Sequence, residues 1–175
     1  ADESTAATPI SPYGIGKWMG ERYLAWAAAE LGLAAVALRY SNVYGPRQSL
    51  EGEAGVVAAF CRDLEAGTPL RIFGDGQQTR DFVYVGDVVE ANIKAMEQTT
   101  NDVFNIGTGV GTTVNAIYEQ LAKATGFGGE AKREPANPGE VYKIQLNNAK
   151  AREKLGWSPK VELAQGLTET VAYFS

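Results

Sequence analysis

The run Pro9-Ile-Ser-Pro-Tyr-Gly-Ile-Gly-Lys17 opens a helix and places two functional side chains on one of its faces. Ser11 is a suitable N-cap, and Pro12 suits the first helical position because its ring presets the helical backbone angle. Tyr13 and Lys17 lie one helical turn apart, so both project from the same side. The run therefore predicts a helix that displays a phenol beside an ammonium.

The chemistry of this pair depends on the charge of Lys17. An ammonium beside a phenol favours the phenolate, and the helix N-terminus adds a smaller effect in the same direction. A tyrosine in that setting can act as a general base near neutral pH. Taken alone, the Tyr-x-x-x-Lys spacing favours the plainer interpretation, an ordinary surface pair on an amphipathic helix.

Outward from this helix, apolar runs alternate with helical patterns. After a stop signal at Gly32, residues 34–40 form a short apolar strand, and residues 103–106 form another. Such runs are typical of buried strands in a parallel sheet. Residues 42–52 are rich in Gly, Pro and polar side chains and predict a loop, and residues 126–140 predict a long functional loop. The order of the elements indicates the α/β class.

Further elements follow from the same signals. A Gly-Asp-Gly turn at 74–76 separates two strand-like runs. Asp87 is interpreted as the N-cap of the helix that follows it. The predicted helices cover 54–66, 87–98, 112–125, 147–155 and 162–173, and the predicted strands cover 69–73 and 81–85. The sheet that these elements imply is incomplete, so we interpret the chain as part of a larger domain.

Composition excludes several classes of function. The 175 residues carry a net charge of −5 with scattered basic side chains, which disfavours a nucleic-acid partner. One cysteine and no histidine exclude the usual zinc sites, so no metal is expected, and also the Ser/Cys–His–Asp arrangements. The single cysteine favours a reducing, cytoplasmic setting, and neither a membrane span nor a signal peptide is recognisable.

Several ordered motifs reverse the plain interpretation of Tyr13 and Lys17. After the opening run come Leu38-Arg-Tyr-Ser-Asn-Val-Tyr-Gly-Pro-Arg47, Phe73-Gly-Asp-Gly-Gln-Gln-Thr-Arg-Asp-Phe-Val-Tyr-Val-Gly-Asp-Val88, Val103-Phe-Asn-Ile-Gly-Thr-Gly109, Pro138-Gly-Glu140, Ala149-Lys-Ala151 and Leu155-Gly-Trp157. In this order they resemble the extended short-chain dehydrogenase/reductase family, in its branch of NAD-dependent nucleotide-sugar epimerases and dehydratases. The resemblance is to the C-terminal portion of these proteins only.

The resemblance implies an α/β architecture with two parts in one truncated unit, residues 1–175. Residues 1–48 and 87–109 would form an incomplete Rossmann-like sheet remnant with the catalytic helix. Residues 49–86 and 110–175 would form a small α/β substrate-binding lobe.

The resemblance also implies roles around an NAD cofactor. Tyr13 would take a proton from a sugar hydroxyl, and Lys17 would hold the nicotinamide ribose, so both are catalytic and cofactor-binding. Tyr40 and Ser41 would flank the nicotinamide. Asn42 would contact the substrate diphosphate, although a turn residue is a serious alternative for it.

Further substrate contacts are expected in the lobe. Arg80 would grip the diphosphate of a UDP-sugar, because a guanidinium fork fits phosphate oxygens bidentately; its alternative is a salt bridge to Asp75 or Asp81. Phe73 would lie against the uracil ring, or else belong to the core. The other substrate-binding candidates are Val56 and Glu140.

The chain departs from the family pattern in places. Asn137 stands where an arginine is usual, and Asn147 where an aspartate is usual. The Gly-rich dinucleotide fingerprint is not found in these residues, and Gly107-Thr-Gly109 lacks the third glycine and the later acidic residue. We therefore expect NAD in the intact enzyme and not on this chain alone.

Different functions remain open at this point. The first is epimerisation of a UDP-glucose or UDP-galactose type of sugar through a 4-keto intermediate in the intact enzyme, with this chain alone inactive. The second is a 4,6-dehydratase or decarboxylase of the same family. The third is a non-catalytic, self-associating binding module. A homodimer, or pairing with a missing N-terminal half, is expected.

Overall fold

Helices and strands alternate along the chain, and the protein has an α/β fold. The structure is a computed structural model that describes residues 1–49, 55–136 and 141–174. In chain order the helices are α1 (Pro12–Leu31), α2 (Val56–Glu65), α3 (Val85–Met96), α4 (Val114–Thr125), α5 (Ala149–Lys154) and α6 (Leu163–Phe174). The strands are β1 (Val36–Tyr40), β2 (Asn42–Tyr44), β3 (Arg71–Phe73), β4 (Thr79–Tyr84), β5 (Asp102–Ile106), β6 (Gly111–Thr113) and β7 (Lys132–Glu134).

Helix α1 begins and ends at the residues that the sequence predicts. Ser11 Oγ accepts a hydrogen bond from the backbone N–H of Gly14 at 3.1 Å, and Gly32 ends the helix with φ of 65°. No residue of α1 is buried. A bidentate ion pair ties the helix to β1, with Arg39 Nε 2.8 Å from Glu21 Oε1 and Nη2 2.7 Å from Oε2. This pair is a main anchor of the helix that carries Tyr13 and Lys17.

The Glu21–Arg39 pair predicts an acid-sensitive contribution to stability. The hydrogen bond from Arg39 lowers the pKa of the Glu21 carboxyl. A carboxyl whose pKa is lower in the folded state stabilises the fold above its unfolded pKa, and this stabilisation is lost as the pH falls through the folded pKa. We expect Glu21→Gln to lower the free energy of unfolding by about 1 kcal/mol at pH 7, allowing for solvent screening.

Urea unfolding at pH 7 and at about pH 3 measures this effect, because glutamate has an ordinary pKa of about 4.3. The difference in free energy of unfolding between wild type and Glu21→Gln should be smaller at the lower pH. Glu30→Gln, an exposed change on the same helix, is the matched control and should change little at either pH. An equal difference in free energy of unfolding between wild type and Glu21→Gln at both pH values would contradict the prediction.

The strands pair into short ladders. β1 and β5 are parallel neighbours, from Val36 opposite Asp102 to Tyr40 opposite Ile106, which confirms the prediction that these two runs are parallel strands. β4 lies between β2, which is parallel to it, and β6, which is antiparallel. β3 pairs with β7 in parallel. The two runs around the Gly-Asp-Gly turn thus pair with other strands and not with each other.

Three short strands lie where the sequence predicts loop or capping residues. β2 lies in the predicted loop 42–52, β7 lies in the predicted loop 126–140, and β6 precedes α4. Each is three residues long. Runs this short carry no readable periodicity, and their extended backbone depends on the strand beside them.

The interpretation of Asp87 as an N-cap is wrong. Helix α3 begins at Val85, so Asp87 lies inside its first turn. Its buried carboxylate accepts hydrogen bonds from the backbone N–H groups of Lys160, at 3.1 Å, and Val161, at 3.2 Å. The side chain joins α3 to the segment before α6, because those two amides need an acceptor.

The described residues form two clusters of buried apolar side chains. The first packs α2, α4 and α6 against β2, β3 and β4, and the second packs α3 and α5 around β5. No helix in the described part of the chain is long and apolar enough to cross a bilayer. The largest fully buried side chains of the first cluster are Phe60, Leu70, Ile72, Ile117, Leu121 and Leu167, and those of the second are Trp157, Phe104 and Ile106.

Candidate active site

Three of the predicted site residues, Tyr40, Ser41 and Asn42, lie where the chain passes from β1 to β2. Ser41 N donates to the carbonyl of Ile106 at 2.9 Å, and Asn42 pairs with Phe82 of β4 in parallel register. Ser41 and Asn42 consequently lie beside Asp81 and Phe82, and we call residues 40–42 together with residues 80–82 the crossing. Four of the predicted site residues, Tyr40, Ser41, Asn42 and Arg80, belong to these two segments.

The residues of the crossing differ in what they offer to a ligand. The Tyr40 side chain is 45% exposed, and its hydroxyl donates to Asn92 Oδ1 of α3 at 2.8 Å. Asn42 is exposed, whereas Ser41 is half-buried. Because Asn42 belongs to β2, the alternative interpretation as a residue of the turn before Val43 does not describe it. Its amide is available at the edge of the crossing.

Arg80 is half-buried, with its guanidinium against the segment that precedes α5. Its Nη1 donates to the carbonyls of Thr79 at 2.9 Å and Tyr142 at 3.4 Å. Asp75, one alternative partner in the sequence analysis, accepts instead from Gln77 N at 2.9 Å and from the Tyr142 hydroxyl at 3.3 Å. The carbonyl contacts hold the side chain in place.

Tyr13 and Lys17 lie together on α1, as their spacing predicts. Lys17 Nζ is 5.3 Å from the centroid of the Tyr13 ring, and the tyrosine is 74% exposed. The phenol therefore faces solvent with a cation at its side.

The remaining predicted site residues are Phe73, Val56 and Glu140. Phe73 ends β3 and is 38% exposed, while its neighbour Ile72 is buried, so Phe73 is not the core residue that was its alternative. Val56 is the first residue of α2 and packs against the first apolar cluster. Glu140 and Asn137 lie outside the described residues.

Sequence reasoning missed Asp81 as a site residue. It is 1% exposed, and its carboxylate accepts hydrogen bonds from the loop after β5 and from Leu146. The sequence analysis considered Asp81 only as a salt-bridge partner of Arg80. Strand alternation was the available signal, because it directs the neighbouring side chains of Arg80 and Asp81 to opposite faces of the strand.

One large cleft lies away from these residues. It has a volume of about 530 Å³ and lies between α2, α4 and α6, where Cys61, Phe127 and Phe174 help to line it. Burial raises the pKa of the Cys61 thiol to about 11. A thiol of this kind stays protonated at neutral pH and is a poor nucleophile. Chemistry is better supported at the crossing, where polar groups converge.

Known proteins resemble this chain over nearly its whole length. The model of the NAD dependent epimerase/dehydratase family matches residues 1–107. A putative UDP-glucose 4-epimerase of Methanocaldococcus jannaschii is 45% identical over 170 residues, which are 97% of this chain and 55% of that protein. A crystal structure of UDP-glucose 4-epimerase from Thermotoga maritima with UDP-glucose superposes with a TM-score of 0.97 at 53% identity, over 99% of this chain and 56% of that one.

A third similar protein was solved with the cofactor. The UDP-glucose 4-epimerase of Thermus thermophilus in complex with NAD is 39% identical, with a TM-score of 0.92 over 99% of this chain and 57% of that one. The chain thus spans about half the length of the relatives that it matches. The prediction of a resemblance to the C-terminal portion only is wrong, because the family model matches the first 107 residues.

Proposed function

Because the chain belongs to the NAD dependent epimerase/dehydratase family, we propose that it contributes catalytic and substrate-binding residues to a UDP-sugar 4-epimerase. The reaction would invert C4 of a UDP-glucose or UDP-galactose type of sugar through a 4-keto intermediate. The observation that carries the proposal is the exposed Tyr13 ring, whose centroid lies 5.3 Å from Lys17 Nζ. Both residues lie on α1, and the Glu21–Arg39 ion pair joins this helix to the strand that leads into the crossing.

The proton transfer falls to α1. Tyr13 accepts the proton of the sugar 4-hydroxyl and returns it at the end of the reaction. Lys17 stabilises the phenolate electrostatically and donates a hydrogen bond to a ribose hydroxyl. The exposed Tyr13, the Lys17 ammonium and the crossing residues Tyr40 and Ser41 fit the polar edge of a nicotinamide nucleoside. When bound, NAD supplies the reversible oxidation at C4.

The diphosphate must stay bound while the keto sugar turns its other face to the cofactor. Arg80 provides the charge for this, and the carbonyls of Thr79 and Tyr142 fix its guanidinium. Asn42 at the edge of the crossing adds an amide to the same ligand. The exposed ring of Phe73 at the end of β3 offers an apolar wall for a uracil base, with Val56 as a further contact.

We also propose the division into a Rossmann-derived part, residues 1–48 and 87–109, and a substrate-binding lobe, residues 49–86 and 110–175. The two apolar clusters support the division, since α2, α4 and α6 pack together in one and α3 packs with β5 in the other. Residues 149–157 are an exception, because Ala151, Leu155 and Trp157 join the cluster of β5.

The exposed aromatic side chains of α1 support self-association in a homodimer. Trp18, Tyr23 and Trp26 are 38%, 66% and 55% exposed. Exposed aromatic surface of this kind is typical of an interface. The single thiol supports a reducing, cytoplasmic location.

The proposed reaction is tested by the product that the full-length protein makes from UDP-glucose with NAD. Epimerisation gives UDP-galactose, which has an unchanged mass and a changed sugar proton spectrum. A product lighter by one water would identify a dehydratase, and loss of carbon dioxide from a UDP-uronic acid would identify a decarboxylase. Either of these results, without UDP-galactose, would refute the proposed 4-epimerisation.

Arg80→Met should raise KM for the UDP-sugar in the full-length protein by about 10²-fold, with a smaller change in kcat. The physical reason is the loss of a charge-assisted contact with the diphosphate, which is worth roughly 2–3 kcal/mol, with each 1.4 kcal/mol changing affinity tenfold. Arg133→Met, at an exposed position of β7, is the matched control. Steady-state kinetics should show an unchanged KM in the control, and equal effects in both variants would contradict the role of Arg80.

A further inference from the structure

Asp81 follows Arg80 in β4, and its side chain lies on the opposite face of the strand. Its carboxylate accepts hydrogen bonds from the backbone N–H groups of Thr108 at 2.8 Å, Gly109 at 3.0 Å and Leu146 at 3.1 Å. The Thr108 hydroxyl donates a further bond at 2.7 Å. A buried charge is tolerated only when it is well hydrogen-bonded, and these donors meet that requirement.

These contacts join three separate segments beneath the crossing. They connect β4 with the loop after β5 and with the segment before α5. Ser41 Oγ lies 3.4 Å from Asp81 Oδ1. The Asp81 carboxylate packs closely against the backbone of Gly107, because a Cβ at Gly107 would lie 2.6 Å from Asp81 Oδ2. Asn148 Nδ2 donates to the carbonyl of Gly107 at 2.7 Å and fixes the same loop from its other side.

We propose that Asp81 is a positioning residue for the reaction, which rests on the proposed function. Through these bonds the carboxylate sets the relative positions of Ser41, Asn42 and Arg80, so that the cofactor and diphosphate contacts form in one geometry. An amide of the same shape cannot do this equally well. Asparagine would direct its own N–H group at one of the N–H groups that now donate to the carboxylate.

Asp87 provides a matched control for a purely structural effect. It is also buried, at 3% exposed, and it also accepts two backbone N–H groups. Those groups belong to Lys160 and Val161, which are not among the candidate site residues. Asp87→Asn should therefore lower stability, as Asp81→Asn does, without changing the geometry of the crossing.

The test measures KM, kcat and the Kd for UDP in the full-length protein with NAD. Asp81→Asn should raise KM for the UDP-sugar and Kd for UDP about tenfold, with kcat changed less than KM. Asp87→Asn should leave both within about twofold of wild type. Thr108→Val removes one donor and keeps the backbone bonds, so it should fold and raise Kd for UDP about threefold.

The outcomes separate the two proposals. If the wild type binds and epimerises a UDP-sugar while Asp81→Asn matches Asp87→Asn in KM and Kd, the positioning role is overturned and the function stands. If Asp81→Asn fails to fold, an unchanged Kd in Thr108→Val overturns the role. A wild type that neither binds UDP nor turns over a UDP-sugar overturns both proposals.

Discussion

Replacing Tyr13 by Phe should reduce kcat of the full-length protein for a UDP-sugar by about 10³-fold, within the range expected for a lost general base. The substitution removes one oxygen from a side chain that is 74% exposed, so the fold should not change. KM and the Kd for UDP should also stay near their wild-type values, because the proposed diphosphate contacts, Arg80 and Asn42, lie at the crossing. The loss would therefore be confined to the chemical step.

Tyr23→Phe is the matched control for this prediction. Tyr23 lies on the same helix and is 66% exposed, but no lysine follows it by one helical turn. Its loss of a hydroxyl should leave kcat within about twofold of wild type. Equal turnover in Tyr13→Phe and wild type would remove Tyr13 from the mechanism. A parallel fall in both variants would indicate damage to α1 instead.

Trp157→Ala should lower the free energy of unfolding by about 3–5 kcal/mol, the usual cost of emptying a large aromatic site in a core. Trp157 is fully buried at 0% exposed, within the cluster that contains Phe104 and Leu155. Its indole Nε1 also donates to the carbonyl of Asp87 at 2.8 Å, which joins the segment after α5 to α3. The substitution removes packing and leaves a buried carbonyl without its donor.

Urea unfolding of this chain measures the effect, with two variants for comparison. Trp157→Phe keeps most of the ring and loses the donor, so it should cost less than the alanine. Met96→Ala, at the exposed end of α3, should change stability by about 0.5 kcal/mol or less. A cost below about 1 kcal/mol for Trp157→Ala would show that this cluster does not hold the fold together.

The sequence predicted the elements that have their own local signals. Ser11, Pro12 and Gly32 fix the ends of α1 through capping, which involves only nearby residues. Thr113 caps α4 in the same way, with its hydroxyl accepting from Ala116 N at 3.1 Å. The apolar runs of β1 and β5 are long enough to be recognised as strands, and the parallel pairing between them follows from their burial and order.

The contacts between distant segments were not predictable in this way. Asp81 meets Leu146 only after β4, β5 and the segment before α5 have come together. Asp87 likewise meets Val161 across the fold, so a local rule interpreted it as a cap. In the candidate site the motif positions indicated Arg80 and Asn42 as candidates, whereas the hydrogen bonds of Asp81 are visible only in the tertiary structure.

Helix α1 has a further consequence for dynamics, because it has twenty residues and none of them is buried. Most helical stability in proteins comes from the packing of an apolar face and not from helix propensity. With Glu21–Arg39 as a main tether, opening α1 costs little of the free energy that holds the two apolar clusters. In this chain alone, its amide hydrogens would exchange with solvent long before those of α4, so Tyr13 and Lys17 lie on an easily opened helix.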